Sequence, residues 1–156
     1  MNGAYTRAGG LVTLRVLRAT TLFLLLAAAD VSGADAFVVI VHPSVTGTNI
    51  KRGDLANVFL KKSQRWGSGA AADPVDQSGA SPVRKAFSET VVHMPVGAVL
   101  QYWQKAMLSA SPTRPPFVKD SDAEVIAYVS QRPGAVGYVA ASTPLPSGVK
   151  ALALID

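Results

Sequence analysis

From Phe37 onward the spacing of apolar residues changes period repeatedly, and that alternation constrains the fold more than any other feature of the chain. "FVVIV" (Phe37 to Val41) is a continuous β-branched run stopped by Pro43, which predicts a buried strand. "GDLANVFLKK" places Leu55, Val58 and Phe59 on one helical face behind Asp54 as N-cap. "SQRWGSGAAAD" reads as loop around Gly67 and Gly69. "ADPVD" predicts a brief strand, with Pro74 confining it to a sheet edge or a strand start. Ser81-Pro82 opens a helix, serine capping and proline filling the first helical position, with Val83, Phe87 and Val91 as the buried stripe. Val96, Val99, Leu100, Trp103 and Met107 then share one face of a helix running from about Pro95 to Leu108. Phe117-Val118 is a short extended piece. Ser121 and Glu124 stand in capping-box spacing before a helix that buries Val125, Ile126 and Val129. Pro133 and Gly134 stop it, Ala135 to Val139 forms another buried strand, and "VKALALI" closes the chain as a last one.

Strands alternating with helices in this way bury both faces of a sheet, so the expected class is a three-layer α/β domain. That domain begins after a different kind of segment. Residues 1–36 carry Arg7, Arg15 and Arg18, an apolar run from Ala19 to Ala29, and the small-x-small triplet Ala34-Asp35-Ala36. These are the three regions of a cleavable secretory signal peptide, with cleavage expected after Ala36. An uncleaved anchor fits less well, because Arg15 and Arg18 interrupt the apolar stretch and the run beyond them is short against roughly 30 Å of hydrocarbon. The expected product is periplasmic or secreted, with residues 37–156 as one domain and no stable membrane anchor.

Removing residues 1–36 takes away three arginines and two aspartates, so a net charge of +5 becomes +4 over the remaining 120 residues. The bases are scattered, without a basic run interleaved with aromatics, which excludes nucleic acid as the expected partner. A mildly cationic surface favours small acidic molecules or an anionic face. The chain has no cysteine, so its core alone must hold it, and no cysteine follows the signal to carry a lipid. His42 and His93 stand far apart and outside any metal-ligand spacing, and no metal or cofactor is expected. No serine lies in a nucleophile-elbow context, so no catalytic residue is expected either.

"DLANVFLKKSQRW", with Leu55, Phe59, Leu60 and Trp66, resembles a segment of the phosphate-binding proteins that serve ABC transporters, in which a helix reading like L-x-x-I-F-L-G-K…W follows a strand. "YVSQRPGAVGYV", Tyr128 to Val139, resembles their helix-to-strand junction, P-G-A-I-G-Y-V. Between the two lies Asp76 to Phe87, where the family places a Gly/Ser/Thr-rich turn and a helix N-terminus on the phosphate. The resemblance runs from about Val38 to Val139. It implies a three-layer α/β/α lobe of the type II periplasmic-binding-protein-like fold. The family builds a clamshell of two such lobes, and this chain resembles the second. It also implies Gly79 and a serine, Ser81, as ligand positions. Two departures stand beside the match: one lobe supplies only half a cleft, and Asp76 occupies about the place of the family's arginine.

The turn itself has two physical readings. A helix N-terminus offers unsatisfied N–H groups and a partial positive charge, which suit an anion. Arg84 then falls at the third helical position, where a cation is mildly unfavourable unless it helps to hold that anion. Alternatively Ser81 is simply a cap, and Arg84 reaches solvent or pairs with Asp76. The expected ligand set is therefore Ser78, Gly79, Ser81 and Arg84, for phosphate or another small oxyanion. A transporter permease, an envelope sensor protein or a second copy is the partner expected over the turn. The other function open to the sequence is a single-lobe accessory or sensory domain of the envelope that docks on a protein and has lost ligand binding.

Overall fold

The computed structural model describes residues 36–109 and 113–156. The signal-peptide reading of residues 1–36 thus lies, but for Ala36, outside the described residues. The elements are β1 (Phe37–Val41), β2 (Asn49–Lys51), α1 (Arg52–Phe59), β3 (Asp73–Gln77), α2 (Pro82–Phe87), a π-helical turn (Ser88–Val92), α3 (Val96–Leu108), β4 (Phe117–Lys119), α4 (Asp122–Gln131), β5 (Ala135–Ala140) and β6 (Lys150–Ile155). Sequence periodicity does not find β2 or the π turn. The three residues of β2 alternate too briefly to register, and a π turn carries no periodic signature of its own.

Among the described residues six strands form one sheet in the order β2-β6-β1-β5-β3-β4. β1 runs antiparallel to both of its neighbours, while β2–β6, β5–β3 and β3–β4 pair in parallel. The carboxyl ends of the parallel strands therefore share one rim, and β3 delivers the turn after Gln77 to it. Parallel strands need crossovers that cover the faces, and helices lie on both. One face carries α1, α2 and the π turn over a cluster that includes Leu55, Phe59, Phe87, Val91 and Tyr138. The other carries α4, whose Val125 and Val129 pack on Ile40, Val75 and Val139. This is the expected mixed α/β architecture. Pro74 sits at the start of β3, paired with β5 before β4 begins, so its missing N–H interrupts no ladder on that side.

Aromatic rings hold the first face together. Phe87 stacks on Tyr138 with centroids 3.9 Å apart and meets Phe59 at 4.6 Å and Phe37 at 5.4 Å. On the second face Gly137 lets α4 approach the sheet, since a Cβ there would lie 2.6 Å from Val125 Cγ1 and 2.9 Å from Val75 Cγ1.

Three details of the helix assignments are corrected. α1 begins at Arg52 after Lys51, which lends no capping side chain, so Asp54 lies within the first turn rather than at its cap. On α2 the buried positions are Arg84 and Phe87, followed by Ser88 and Val91, while Val83 is only half-buried. An arginine thus occupies a place in the inward stripe. On α3 only Val99 and Trp103 are buried, whereas Leu100 and Met107 are 52% and 56% exposed. That helix meets the body along a narrow line through the π turn and a hydrogen bond from Tyr102 Oη to the Leu60 carbonyl, 3.0 Å, so its wider apolar face is left outside. No helix among the described residues is long and apolar enough to cross a membrane.

Candidate functional site

The turn that follows β3 is built by its own sequence. The Ser78 N–H donates to the Lys119 carbonyl at 2.9 Å, tying the end of β3 to β4, and the Ser81 N–H donates to the Ser78 carbonyl at 2.9 Å, closing the turn. Ser81 Oγ accepts from the Arg84 N–H at 3.3 Å and donates to Gln77 Oε1 at 2.7 Å. Ser81 is therefore an N-cap with Pro82 behind it, as the sequence implies. Gly79 and Ala80 are exposed, and their amides meet no acceptor among the described residues. Ser78, Gly79 and Ser81 come together at the rim.

Arg84 lies apart from them, beneath the turn. Its guanidinium pairs with the Asp76 carboxylate, the two side chains being 6% and 9% exposed. This is the pairing that the sequence leaves open as one of two readings. The other carboxylate oxygen accepts from the Tyr138 hydroxyl and, at 2.9 Å, from the Gln77 N–H. The carboxylate thus has a cation and two neutral donors as partners, and neither of its buried oxygens is left unsatisfied. Burial lowers the proton affinity of the Arg84 guanidinium, with its charge interaction with Tyr138 acting the other way. Burial also pushes the Tyr138 hydroxyl up to about 12, with Arg84 and the Gln77 amide opposing. Arg84 Nε has no acceptor and borders a void of ≈ 10 Å³ enclosed by Phe59, Phe87, Ser88, Val99 and Trp103 among others.

Gln77 joins this buried pair to the turn. Its Nε2 donates to the Tyr138 carbonyl at 2.9 Å and to Asp122 Oδ1 at 2.8 Å. Asp122 Oδ2 in turn accepts from the Ala140 N–H at 3.0 Å and from Thr143 Oγ1 at 2.5 Å. Asp122 lies in the first turn of α4, where an acid suits the helix dipole. It also fastens α4 to the end of β5 and, through Gln77, positions the Ser81 hydroxyl. Gln77, Asp122, Tyr138 and Thr143 are the polar residues that sequence reasoning misses. Their partners lie 45 or 61 residues away for Gln77 and 21 for the Asp122–Thr143 pair, and no local pattern encodes such separations.

The remaining polar candidates take structural places. His42 Nδ1 lies 2.8 Å from Ser44 Oγ, and His93 ends the π turn in a left-handed conformation, φ 56°. No group of three or more metal-ligating side chains occurs among the described residues. Trp66 donates from Nε1 to the Gly134 carbonyl at 2.9 Å, pinning the bend before β5.

No protein-family model matches the chain, and no curated protein does. Solved structures do. PstS from Borrelia burgdorferi superposes with a TM-score of 0.59 at 19% identity, over 77% of this chain and 47% of its own. A Clostridium perfringens protein solved with bound phosphate gives 0.58 at 16% identity, over 77% and 45%. An ABC-type phosphate transport receptor from Vibrio cholerae gives 0.53 at 16%, over 77% and 46%. The fold is that of the periplasmic binding proteins. The chain spans less than half the length of these structures, so it holds one part of the architecture found in them.

Proposed function

We propose that this chain is an exported binding domain, a single lobe of the type II periplasmic-binding-protein-like fold, that holds phosphate or another small oxyanion in connection with ABC transport. The turn carries the reading. It presents the exposed Gly79 and Ala80 amides beside the Ser78 and Ser81 hydroxyls, at a helix start on the rim where the parallel strands end. Such rims are where open α/β sheets take ligands, and amides at a helix start suit an anion. The phosphate-binding names among its structural neighbours support the choice of ligand, and the fold supports a binding protein rather than an enzyme. Arg84 serves from behind by fixing the first turn of α2, its charge balanced by Asp76. Binding then rests on hydrogen bonds more than on net charge, and an affinity on the order of millimolar is expected, about 4 kcal/mol. Export through cleavage after Ala36 places the domain in the periplasm or outside the cell. A permease, an envelope sensor or a second copy covers the rim.

The Asp76–Arg84 pair favours a second reading, because it neutralises the cation that the first would use best. In that reading the lobe docks on an envelope partner and binds no small ligand. Isothermal titration of the purified protein with phosphate and with sulfate separates the two. Saturable heat supports the first. Absence of heat with either anion, at protein concentrations that resolve millimolar binding, leaves the docking domain.

A further inference from the structure

We propose that the groove between the C-terminal turn of α3 and β4 is a docking site for an extended acidic segment of a partner protein. It is a cleft of ≈ 990 Å³ bordered by Met107, Phe117, Val118, Lys61, Arg114 and Asp73. It opens at the start of β3, whereas the turn Ser78–Ser81 lies beyond the other end of that strand. Four residue steps separate Asp73 from Gln77, about 13 Å. The two surfaces are therefore distinct, and this inference goes beyond the proposed oxyanion site.

The apolar part is unusually open. Phe117 is 64% exposed, Val118 58% and Met107 56%. Aromatic residues, methionine and arginine are the types enriched where proteins meet, and an apolar patch with a polar rim marks such a surface. Among the described residues β4 is the last strand of the sheet and pairs only with β3, so its outer edge presents backbone groups to an added extended chain.

Charge selects the occupant. Lys61 and Arg114 border the cleft, and neither enters an ion pair among the described residues. The flank of Phe117 is basic too. Its ring lies 6.0 Å from that of Tyr128, over which stand the Arg132 guanidinium at 4.4 Å and Lys119 Nζ at 6.0 Å. Asp73 is the carboxylate bordering the cleft, and it is already engaged by the Tyr128 hydroxyl at 2.8 Å and by Arg132 at 3.7 Å. A second copy on the same surface would set these cations against their equivalents. A partner that carries acids beside apolar residues along an extended segment fits both the charge and the strand edge.

The test is fluorescence anisotropy of the purified protein with a labelled short peptide of alternating valine and glutamate, run against a counterpart with lysine for glutamate. The acidic peptide is expected to bind, more weakly as salt rises, and the basic one not to bind. Phe117→Glu and Arg114→Glu are each expected to weaken the acidic peptide about tenfold or more. Phe117→Glu should leave any phosphate titration unchanged, so a failure of anion binding and a failure of docking are read separately. Equal binding of the two peptides, no binding of either, or indifference to both substitutions overturns the proposal. A dimer in sedimentation that Phe117→Glu dissolves overturns it in favour of a second copy. Capture by anionic vesicles without peptide binding overturns it in favour of a membrane surface.

Discussion

The Arg84 guanidinium and the Asp76 carboxylate face each other in the interior, and the Tyr138 hydroxyl donates to the same carboxylate. This one contact ties together β3, α2 and β5, and it lies directly beneath the turn proposed to hold an anion. A buried ion pair is weak evidence for stability in itself, yet breaking it from one side is costly because the remaining charge stays buried.

Asp76→Asn is therefore expected to lower the free energy of unfolding by about 3–5 kcal/mol. The double variant Asp76→Asn, Arg84→Met should recover part of that loss, since no unpaired guanidinium remains. Urea denaturation of the wild type and both variants checks the order. A double variant less stable than Asp76→Asn alone would show that the pair matters for more than its charges.

Alkaline unfolding follows from the tyrosines. Burial raises Tyr138 from 10.0 to about 12, and burial together with the Asp73 hydrogen bond raises Tyr128 to about 12. The folded state then holds protons that the unfolded state releases, so stability is complete below pH 10 and declines from there to about pH 12. Tyr138 contributes about 2–3 kcal/mol to the decline. Tyr128, being less deeply buried, contributes less. Tyr138→Phe should flatten this part of the stability profile while lowering stability at neutral pH by about 1–3 kcal/mol, because Asp76 loses a donor. Denaturation series at increasing pH read both effects.

Gly137→Ala is expected to destabilise by about 1–3 kcal/mol through overpacking. Its Cβ would meet two valines below normal contact distance, Val125 on α4 and Val75 on β3. A thermal melt suffices, and an unchanged midpoint would mean that α4 can move away without loss.

The contrast between Ser81 and Arg84 shows what the sequence makes legible. The strand from Ala135 to Val139, the Ser81-Pro82 helix start, Ser121 as N-cap and the α/β class all follow from short-range spacing and turn chemistry, and all are found, although the Glu124 carboxylate accepts from the Asp120 N–H at 3.0 Å rather than from that of Ser121. The polar interior is not legible. Whether Arg84 points to an anion, to solvent or to Asp76 depends on how β3 and α2 cross, and on Tyr138 arriving from more than 50 residues downstream. The helix α3 fails for a related reason. Its periodicity gives the width of the apolar face but not how much of that face the body can cover.

Ser81→Ala separates a structural role from a binding one. Loss of the cap to the Arg84 amide should cost about 1 kcal/mol, seen as a lower unfolding midpoint. Because the Ser81 hydroxyl also holds the turn to Gln77, its loss should weaken phosphate binding measured well below that midpoint. Lower stability with unchanged phosphate affinity would assign Ser81 to the helix alone.

The central claim, that the turn Ser78–Ser81 receives a small oxyanion, is tested most directly by titrating isotope-labelled protein with phosphate and following its backbone amides by NMR. Saturable shifts are expected at the amides of Gly79, Ala80 and Ser81, with weaker ones at Arg84 and Gln77 behind them, and sulfate should compete. Shifts confined to other residues, or amides of the turn that stay in place through millimolar phosphate, would contradict it.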